Sequence, residues 1–326
     1  MTFNIHLKKG NCRICKNPLV IYRKYSKEML CPKCFAKNIE MIIAQTISEF
    51  NMIKSGDRII VGLSGGKDSI ALLYNLKKIK EESNKSISLI ALSIDEGIRD
   101  YRPKSIETAK NFCEEYKIKH KIISFKERLG KTLDEIIKIK RRSSNYRYSC
   151  NYCASIRKRL LNEGAKELKG DILALGHNLT DTSETFLMNV LYKRFQLIAN
   201  QYLFKKESKL MTQFFIKKCA PLMKIPEEEI FLYANIKNLN YYSSHCPYRE
   251  EDPILRKRVL NFIQECKKSH PKVEFDLFNG FLGLSKILNN HVHRIEQKFC
   301  LNCGYPCGVK DKCTYCTFTE NLLYTN

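Results

Sequence analysis

Two kinds of residue in this chain have the spacing to do chemistry: paired cysteines and one glycine-rich loop. The loop, Ser64-Gly65-Gly66-Lys67-Asp68-Ser69, follows the apolar run Arg58-Ile59-Ile60-Val61-Gly62-Leu63 and precedes the helical pattern Ile70-Ala71-Leu72-Leu73-Tyr74. A buried strand that turns through glycines into a helix N-terminus points main-chain N–H groups and the positive end of the helix dipole at an anion. Lys67 is followed by Asp68, and the glycine spacing differs from the Walker A pattern. The segment from Leu63 to Ser69 is therefore read as a site for nucleotide phosphates, held otherwise than in a P-loop kinase or GTPase.

The cysteines fall into groups. Cys12-x-x-Cys15 with Cys31-x-x-Cys34, and Cys300-x-x-Cys303 with Cys313-x-x-Cys316, each offer four thiolates as two knuckles. That spacing suits a closed tetrahedral zinc site, which contributes on the order of 10 kcal/mol to the folding of a small module. The plainer alternative is a chance cluster of reduced cysteines. Cys307 has no knuckle partner and is read as a bystander. The central pair, Cys150-Asn151-Tyr152-Cys153, has no second pair, only the single cysteines Cys113, Cys219, Cys246 and Cys266. Cys113 and Cys266 lie in helical patterns and read as small buried apolar residues. Cys246 lies in the polar stretch Ser243-Ser244-His245-Cys246-Pro247-Tyr248. Two chemistries remain open: an iron–sulfur cluster held by three thiolates with one open iron, or a catalytic dithiol at a helix N-terminus with depressed pKa values.

The elements that must position these groups alternate. Strands are expected over 58–63, 88–94, 119–124 and 171–175, and helices over 69–80, 104–116, 153–168 and 181–192. That alternation predicts an α/β fold, a parallel sheet with helices on both faces. Ligands in such folds sit at the carboxyl ends of the strands. Those ends carry Ser64–Ser69, then Ser93-Ile94-Asp95-Glu96-Gly97, then Gly176-His177-Asn178, so the three clusters are expected to meet in one crevice. Beyond 195 the pattern turns helical, over 226–239, 253–268 and 274–290. A helix from Ile39 to Phe50 joins the first cysteine group to the core. The expected domains are a zinc module over 1–36, a catalytic domain over 37–295 and a second zinc module over 296–326.

The 326 residues carry 57 Lys+Arg against 34 Asp+Glu, a formal charge of +23, spread along the chain. A basic folded surface of this kind fits nucleic acid; codon bias toward lysine is the plainer source. The start of the chain shows no long apolar stretch, so neither a secretory signal nor a membrane span is expected. Fifteen cysteines then point to metal or catalysis in a reducing, cytoplasmic compartment rather than to disulfides.

With these residues in view, the loop resembles the PP-loop of the ATP pyrophosphatases, which split ATP into AMP and pyrophosphate. The Cys-x-x-Cys before Arg157-Lys158-Arg159, Gly176-His177-Asn178-x-x-Asp181 and Glu184-Thr185-x-Leu187-Met188-Asn189 resemble the tRNA 2-thiouridine synthetases of the TtuA and cytosolic thiouridylase group. The terminal cysteine modules extend the resemblance over nearly the whole chain. Ser93-Ile94-Asp95-Glu96-Gly97-Ile98 and Arg157 look more like the wobble-uridine branch, whereas Cys246-Pro247-Tyr248 is shared with the T-loop branch. Departures are Ala154 for a usual glycine, Thr180 for an acidic residue before Asp181, and Cys34 where some relatives have histidine.

The resemblance implies an ATP-dependent tRNA-uridine 2-sulfurtransferase. Its cofactors would be ATP, Mg2+, a [4Fe-4S] cluster on Cys150, Cys153 and Cys246, and two Zn2+. ATP would be bound by Leu63, Ser64, Gly65, Gly66, Lys67, Asp68, Ser69, Ser93, Asp95, Arg157, Gly176, His177 and Asp181. Lys67 would offset pyrophosphate charge, and Asp68 or Asp181, with Asp181 preferred, would hold magnesium. Implied partners are tRNA, a sulfur donor (a ubiquitin-like carrier protein or free sulfide) and a second copy of the chain. Competing readings are a tRNA 2-thiocytidine synthetase, a persulfide-relay thiolase and a non-enzymatic zinc-ribbon RNA-binding protein.

Overall fold

The structure is a computed structural model that describes residues 5–83, 86–142, 146–201, 203, 209–251, 255–291, 298–320 and 322. In chain order, a three-stranded antiparallel sheet (β1 Ile5–Lys9, β2 Leu19–Arg23, β3 Glu28–Leu30) leads into helix α1 (Pro32–Glu49). The α/β core follows: β4 (Arg58–Gly62), α2 (Lys67–Glu82), β5 (Ser88–Asp95), α3 (Arg102–Glu115), β6 (Lys119–Ser124), α4 (Phe125–Leu129), α5 (Leu133–Lys140), α6 (Ser149–Glu167), β7 (Ile172–Ala174) and α7 (Leu179–Leu191). Then come α8 (Phe195–Asn200), α9 (Lys209–Phe214), β8 (Lys217–Cys219), α10 (Glu227–Ile236), a 3-10 turn (Pro247–Glu251), α11 (Leu255–Ser269) and α12 (Val273–His291). The last module holds β9 (Lys298–Phe299), β10 (Pro306–Gly308) and α13 (Thr314–Thr319).

The central sheet is parallel, with strand order β6-β5-β4-β7-β8. The expected strands are all present. β4 reads as an unbroken apolar run because helices cover both its faces; Ile59, Ile60 and Val61 are fully buried. The fifth strand, β8, was not expected. It is three residues long, and only Cys219 of Lys217-Lys218-Cys219 is buried, so it carries no hydrophobic pattern. Chain order reverses around β4, with β5 on one side and β7 on the other. The crevice beyond the carboxyl ends of β4 and β7 is thus the switch point at which such sheets bind ligands.

The helix expected from Ile39 starts earlier, at Pro32. Cys31 is its N-cap and accepts a hydrogen bond from the Cys34 N–H, so the second cysteine knuckle is the helix start itself. The helices expected from 226, 253 and 274 correspond to α10, α11 and α12; positions 253 and 254, and the expected domain boundary at 295 and 296, lie outside the described residues. The buried Lys267 ties this layer together through Glu274 (2.6 Å) and Glu228 (2.9 Å). No helix among the described residues is long and apolar enough to cross a membrane.

Candidate active site and metal centres

The phosphate loop is built by close approach. Gly65 has φ +86°, and a Cβ there would stand 2.1 Å from the Ser105 carbonyl oxygen. Only glycine satisfies both conditions. Across the crevice, a Cβ on Gly176 would meet the Asp68 and Ser69 backbone at 3.0 Å, so the first turn of α2 lies directly on the β7–α7 turn. The Ser69 hydroxyl closes the loop by accepting from the Ser64 N–H (3.1 Å) and donating to the Gly66 carbonyl (3.0 Å). Gly66 is the N-cap of α2 and supplies no side chain, which leaves the helix N-terminus open to an anion.

Lys67 points into the crevice between two carboxylates, with Nζ 2.9 Å from Asp68 Oδ2 and 2.6 Å from Glu227 Oε1. Burial works against its charge, but Asp68 and Glu227 outweigh it and raise its pKa. Burial raises Asp68, and nearby Asp181 and Glu227 push the same way against Lys67. Asn178 caps α7 in a reciprocal box with Asp181, accepting from the Asp181 N–H (2.9 Å) and donating its own N–H to Asp181 Oδ2 (3.2 Å). The Asn178 amide also donates to Asp68 Oδ1 (3.2 Å), which binds the two helix starts together. Arg256 lies 3.3 Å from Asp181 and 2.9 Å from Glu184. His177 has its pKa lowered by burial, and Arg256, Lys158 and Arg157 act in the same direction. The first and third of the expected clusters therefore meet.

Ser93 and Asp95 have other partners. The fully buried Ser93 hydroxyl donates to the Leu63 carbonyl (2.6 Å) and lies 2.8 Å from His120 Nε2, beneath the loop. Asp95 accepts from the Gly97 N–H (2.9 Å) and shapes the turn after β5.

On the other side of α3, Cys150 and Cys153 occupy the start of α6. The Cys150 thiol lies 3.8 Å from the Tyr248 carbonyl, two residues past Cys246, and Cys153 and Cys246 pack against one apolar core that includes Ile156 and Tyr152. The three thiols are close enough to influence one another electrostatically. In each terminal group, by contrast, four sulfurs all fall within 4.8 Å of one another. Three thiols gathered from two segments at one apolar core, with no fourth cysteine of their own, are a donor set that would suit a cluster. Burial drives Cys153 up to about 12 and raises Cys246 as well. That is opposite to the depressed values expected of a free catalytic dithiol, because desolvation outweighs the nearby Arg157 charge.

A chain of ion pairs links the two sides. Arg157 Nη1 lies 3.7 Å from the Cys153 sulfur and 3.3 Å from Glu96 Oε1. Glu96 Oε2 accepts from Arg102 Nε (2.6 Å), and Arg102 Nη1 donates to the Ser64 carbonyl (2.9 Å). Glu96 and Arg102 are 3% and 4% exposed, so the link is dry in its middle. Arg157, Lys158 and Arg159, adjacent on α6, face different ways: Arg159 stacks on Tyr305 with its guanidinium carbon 3.0 Å from the ring centroid. The sequence reading placed Glu96 and Asn178 in its expected clusters without giving either a role, and offered no signal for Arg102, Glu227 or Arg256; the capping-box spacing to Asp181 could have given Asn178 its role.

Both terminal cysteine groups assemble. Cys15–Cys31, Cys15–Cys34 and Cys303–Cys313 sulfur distances are 3.5, 3.7 and 3.7 Å. Ligands at about 2.3 Å from one tetrahedral zinc stand about 3.8 Å apart. In each group the third cysteine caps a helix, Cys31 for α1 and Cys313 for α13. Main-chain N–H groups outweigh burial at Cys12 and Cys300 and lower both to about 6, whereas burial and the neighbouring thiols raise Cys34 to about 12 and raise Cys316 as well. The Cys307 thiol, outside the group, donates to the Lys310 carbonyl (2.8 Å). The second module docks on α6 through Tyr152 and Phe318, whose centroids are 4.4 Å apart. The first docks on α10, where buried Arg23 pairs with Glu229 (2.8 Å) and Tyr25 donates to Glu229 (2.6 Å).

A family model described as PP-loop domain matches residues 35–263. The probable sulfurtransferase of Methanocaldococcus jannaschii is 36% identical over 309 residues, covering 94% of this chain and 87% of that protein. Cytoplasmic tRNA 2-thiolation protein 1 of Drosophila melanogaster is 33% identical, covering 94% and 86%. The solved structure of the U34-tRNA thiolase NcsA from Methanococcus maripaludis, with its [4Fe-4S] cluster, superposes with a TM-score of 0.77 at 32% identity, covering 99% of this chain and 97% of that one. A PP-loop crevice coupled through α6 to three convergent cysteines, with likeness along almost the full length, shows that the chain belongs to the PP-loop family, in its branch of tRNA 2-thiolation enzymes.

Proposed function

We propose that this protein is an ATP-dependent tRNA thiolase that converts a wobble uridine to 2-thiouridine in the cytoplasm. The observation that carries the reading is the Arg157–Glu96–Arg102 chain, buried at Glu96 and Arg102, which joins the phosphate-binding loop to Cys153. Replacing the C2 oxygen of uridine by sulfur needs both halves. The uridine oxygen first attacks the α-phosphorus of ATP and pyrophosphate leaves. A sulfur nucleophile then attacks C2, and the C2–O bond breaks to release AMP with the former uridine oxygen.

The roles follow from position. The Ser64–Ser69 amides and Lys67 hold the departing pyrophosphate. In the free protein Lys67 is neutralised by Asp68 and Glu227, so phosphate entry draws it away from a preformed ion pair. Asp181, at the N-terminus of α7, holds magnesium against the phosphates. Arg157 binds phosphate at the mouth, and His177 lines the nucleotide side. Cys150, Cys153 and Cys246 would hold a [4Fe-4S] cluster, which would supply a binding site for inorganic sulfur. Each terminal four-cysteine group holds one Zn2+, so that eleven cysteines are divided four, four and three. The domains are 1–36, 37–295 and 296–326. On this reading the sulfur donor is a ubiquitin-like carrier thiocarboxylate or free sulfide, and the assembly is a homodimer.

The test is the nucleoside profile of tRNA from cells lacking the protein. Wobble 2-thiouridine is lost, and wild type but not Cys246→Ala restores it. An unchanged 2-thiouridine content overturns the reading.

A further inference from the structure

Between the turn after β5 and the segment before the 3-10 turn lies a hollow of about 570 Å³, lined among others by Arg99, Tyr101, Lys104, Tyr242 and Tyr248. We propose that this hollow is the socket for the target nucleotide, which is drawn out of the RNA stack and held against Tyr101 and Tyr242. The proposal rests on the reading of the protein as a uridine thiolase and adds where, and by which residues, the base is held.

Position is the first argument. The Tyr242 N–H donates to the Gly65 carbonyl (2.9 Å), so one wall of the hollow is bonded to the phosphate loop. At the other wall, the Tyr248 carbonyl lies 3.8 Å from the Cys150 sulfur, and Cys246 sits between the lining residues His245 and Pro247. One carbon of the base must be served by ATP through its oxygen and then by sulfur. A base in this hollow stands between both.

Size and chemistry agree. The volume falls in the range of small-ligand sites, roughly 300–1,000 Å³, and admits one nucleotide but no duplex. The Tyr101 and Tyr242 rings are half-buried, 5.6 Å apart and inclined at 57°. Splayed-out bases are held by stacking on such rings. Arg99 and Lys104 are exposed at the rim, where they can meet the phosphates on either side of the extruded nucleotide. Asp134 pins the two walls, accepting from the Tyr248 hydroxyl (2.7 Å) and the Arg99 N–H (2.9 Å), which makes it a positioning residue.

The experiment uses the holoenzyme and tRNA carrying 5-iodouridine at the uridine that wild type thiolates. Irradiation is expected to cross-link this base to Tyr101, Tyr242 or Tyr248. Tyr101→Ala and Tyr242→Ala lower single-turnover thiolation roughly ten- to a hundredfold, the loss of one base–aromatic stack, with ATP affinity, cluster absorbance and melting temperature retained. The Tyr→Phe variants restore the rate. Cross-links outside 98–104 and 242–248, or alanine variants at the wild-type rate, overturn the socket while leaving the thiolase reading intact. A wild type that forms no 2-thiouridine overturns both.

Discussion

Glu184 shows how burial sets a single residue's chemistry at this site. Burial raises its pKa from the ordinary 4.5 to about 7, although Arg256 opposes the rise. A carboxyl with a raised folded-state pKa contributes stability that is full below the unfolded value and is lost as pH rises through the folded one. Glu184→Gln should therefore gain stability relative to wild type as pH climbs from 4.5 to about 7 and match it below that window; denaturant titrations at several pH values check this. Lys67 presents the opposite design, a cation kept charged by two carboxylates until phosphate replaces them. Lys67→Ala should slow pyrophosphate release about a hundred- to a thousandfold, as removal of one preorganised charge-stabilising group does elsewhere. Stopped-flow pyrophosphate assays report it. The loop and the Cys150–Cys153 pair were legible because each lies in a short, regular spacing, whereas Asp181 and Cys246 were given roles only through the resemblance. The pairing of Glu96 with Arg102 stayed hidden: a buried ion pair joins residues by tertiary position, which no local spacing records.

Among the elements, legibility followed length and periodicity. β4 and β5 and the long helices were readable because covered parallel strands are mostly apolar and amphipathic helices repeat. β8, the hairpins of the cysteine modules and the start of α1 were not, since metal-binding knuckles and short edge strands take their shape from side-chain ligation and neighbours rather than from propensity. The same ligation makes a prediction about α1. Cys34→Ser should lose one of two zincs and lower the melting temperature, whereas Cys307→Ser should retain both, as elemental analysis would show. The module's seat on α10 is a separate matter. Glu229→Gln leaves the buried Arg23 short of its counter-charge and should cost about 3–5 kcal/mol in denaturant unfolding.

Across the whole molecule, +23 of formal charge surrounds a crevice whose floor is acidic, with Asp68, Asp181, Glu184 and Glu227 close together. The net positive charge favours RNA, and the acidic floor suits the magnesium proposed for this site. Binding of tRNA should weaken roughly a thousandfold between about 50 and about 200 mM salt, through counterion release, while ATP affinity changes far less; filter binding at graded salt tests this. Within the molecule the nucleotide half and the cysteine half are joined by one ion-pair chain but perform different steps. The most direct test of that division is pyrophosphate release and adenylated tRNA measured with ATP and tRNA but no sulfur source. Cys150→Ser should release pyrophosphate and accumulate adenylated tRNA as wild type does, yet form no 2-thiouridine when sulfur is added, and Asp181→Ala should fail at the first step. If Cys150→Ser also fails to adenylate, with ATP affinity and melting temperature intact, the division of the site into an activating half and a sulfur-transferring half is contradicted.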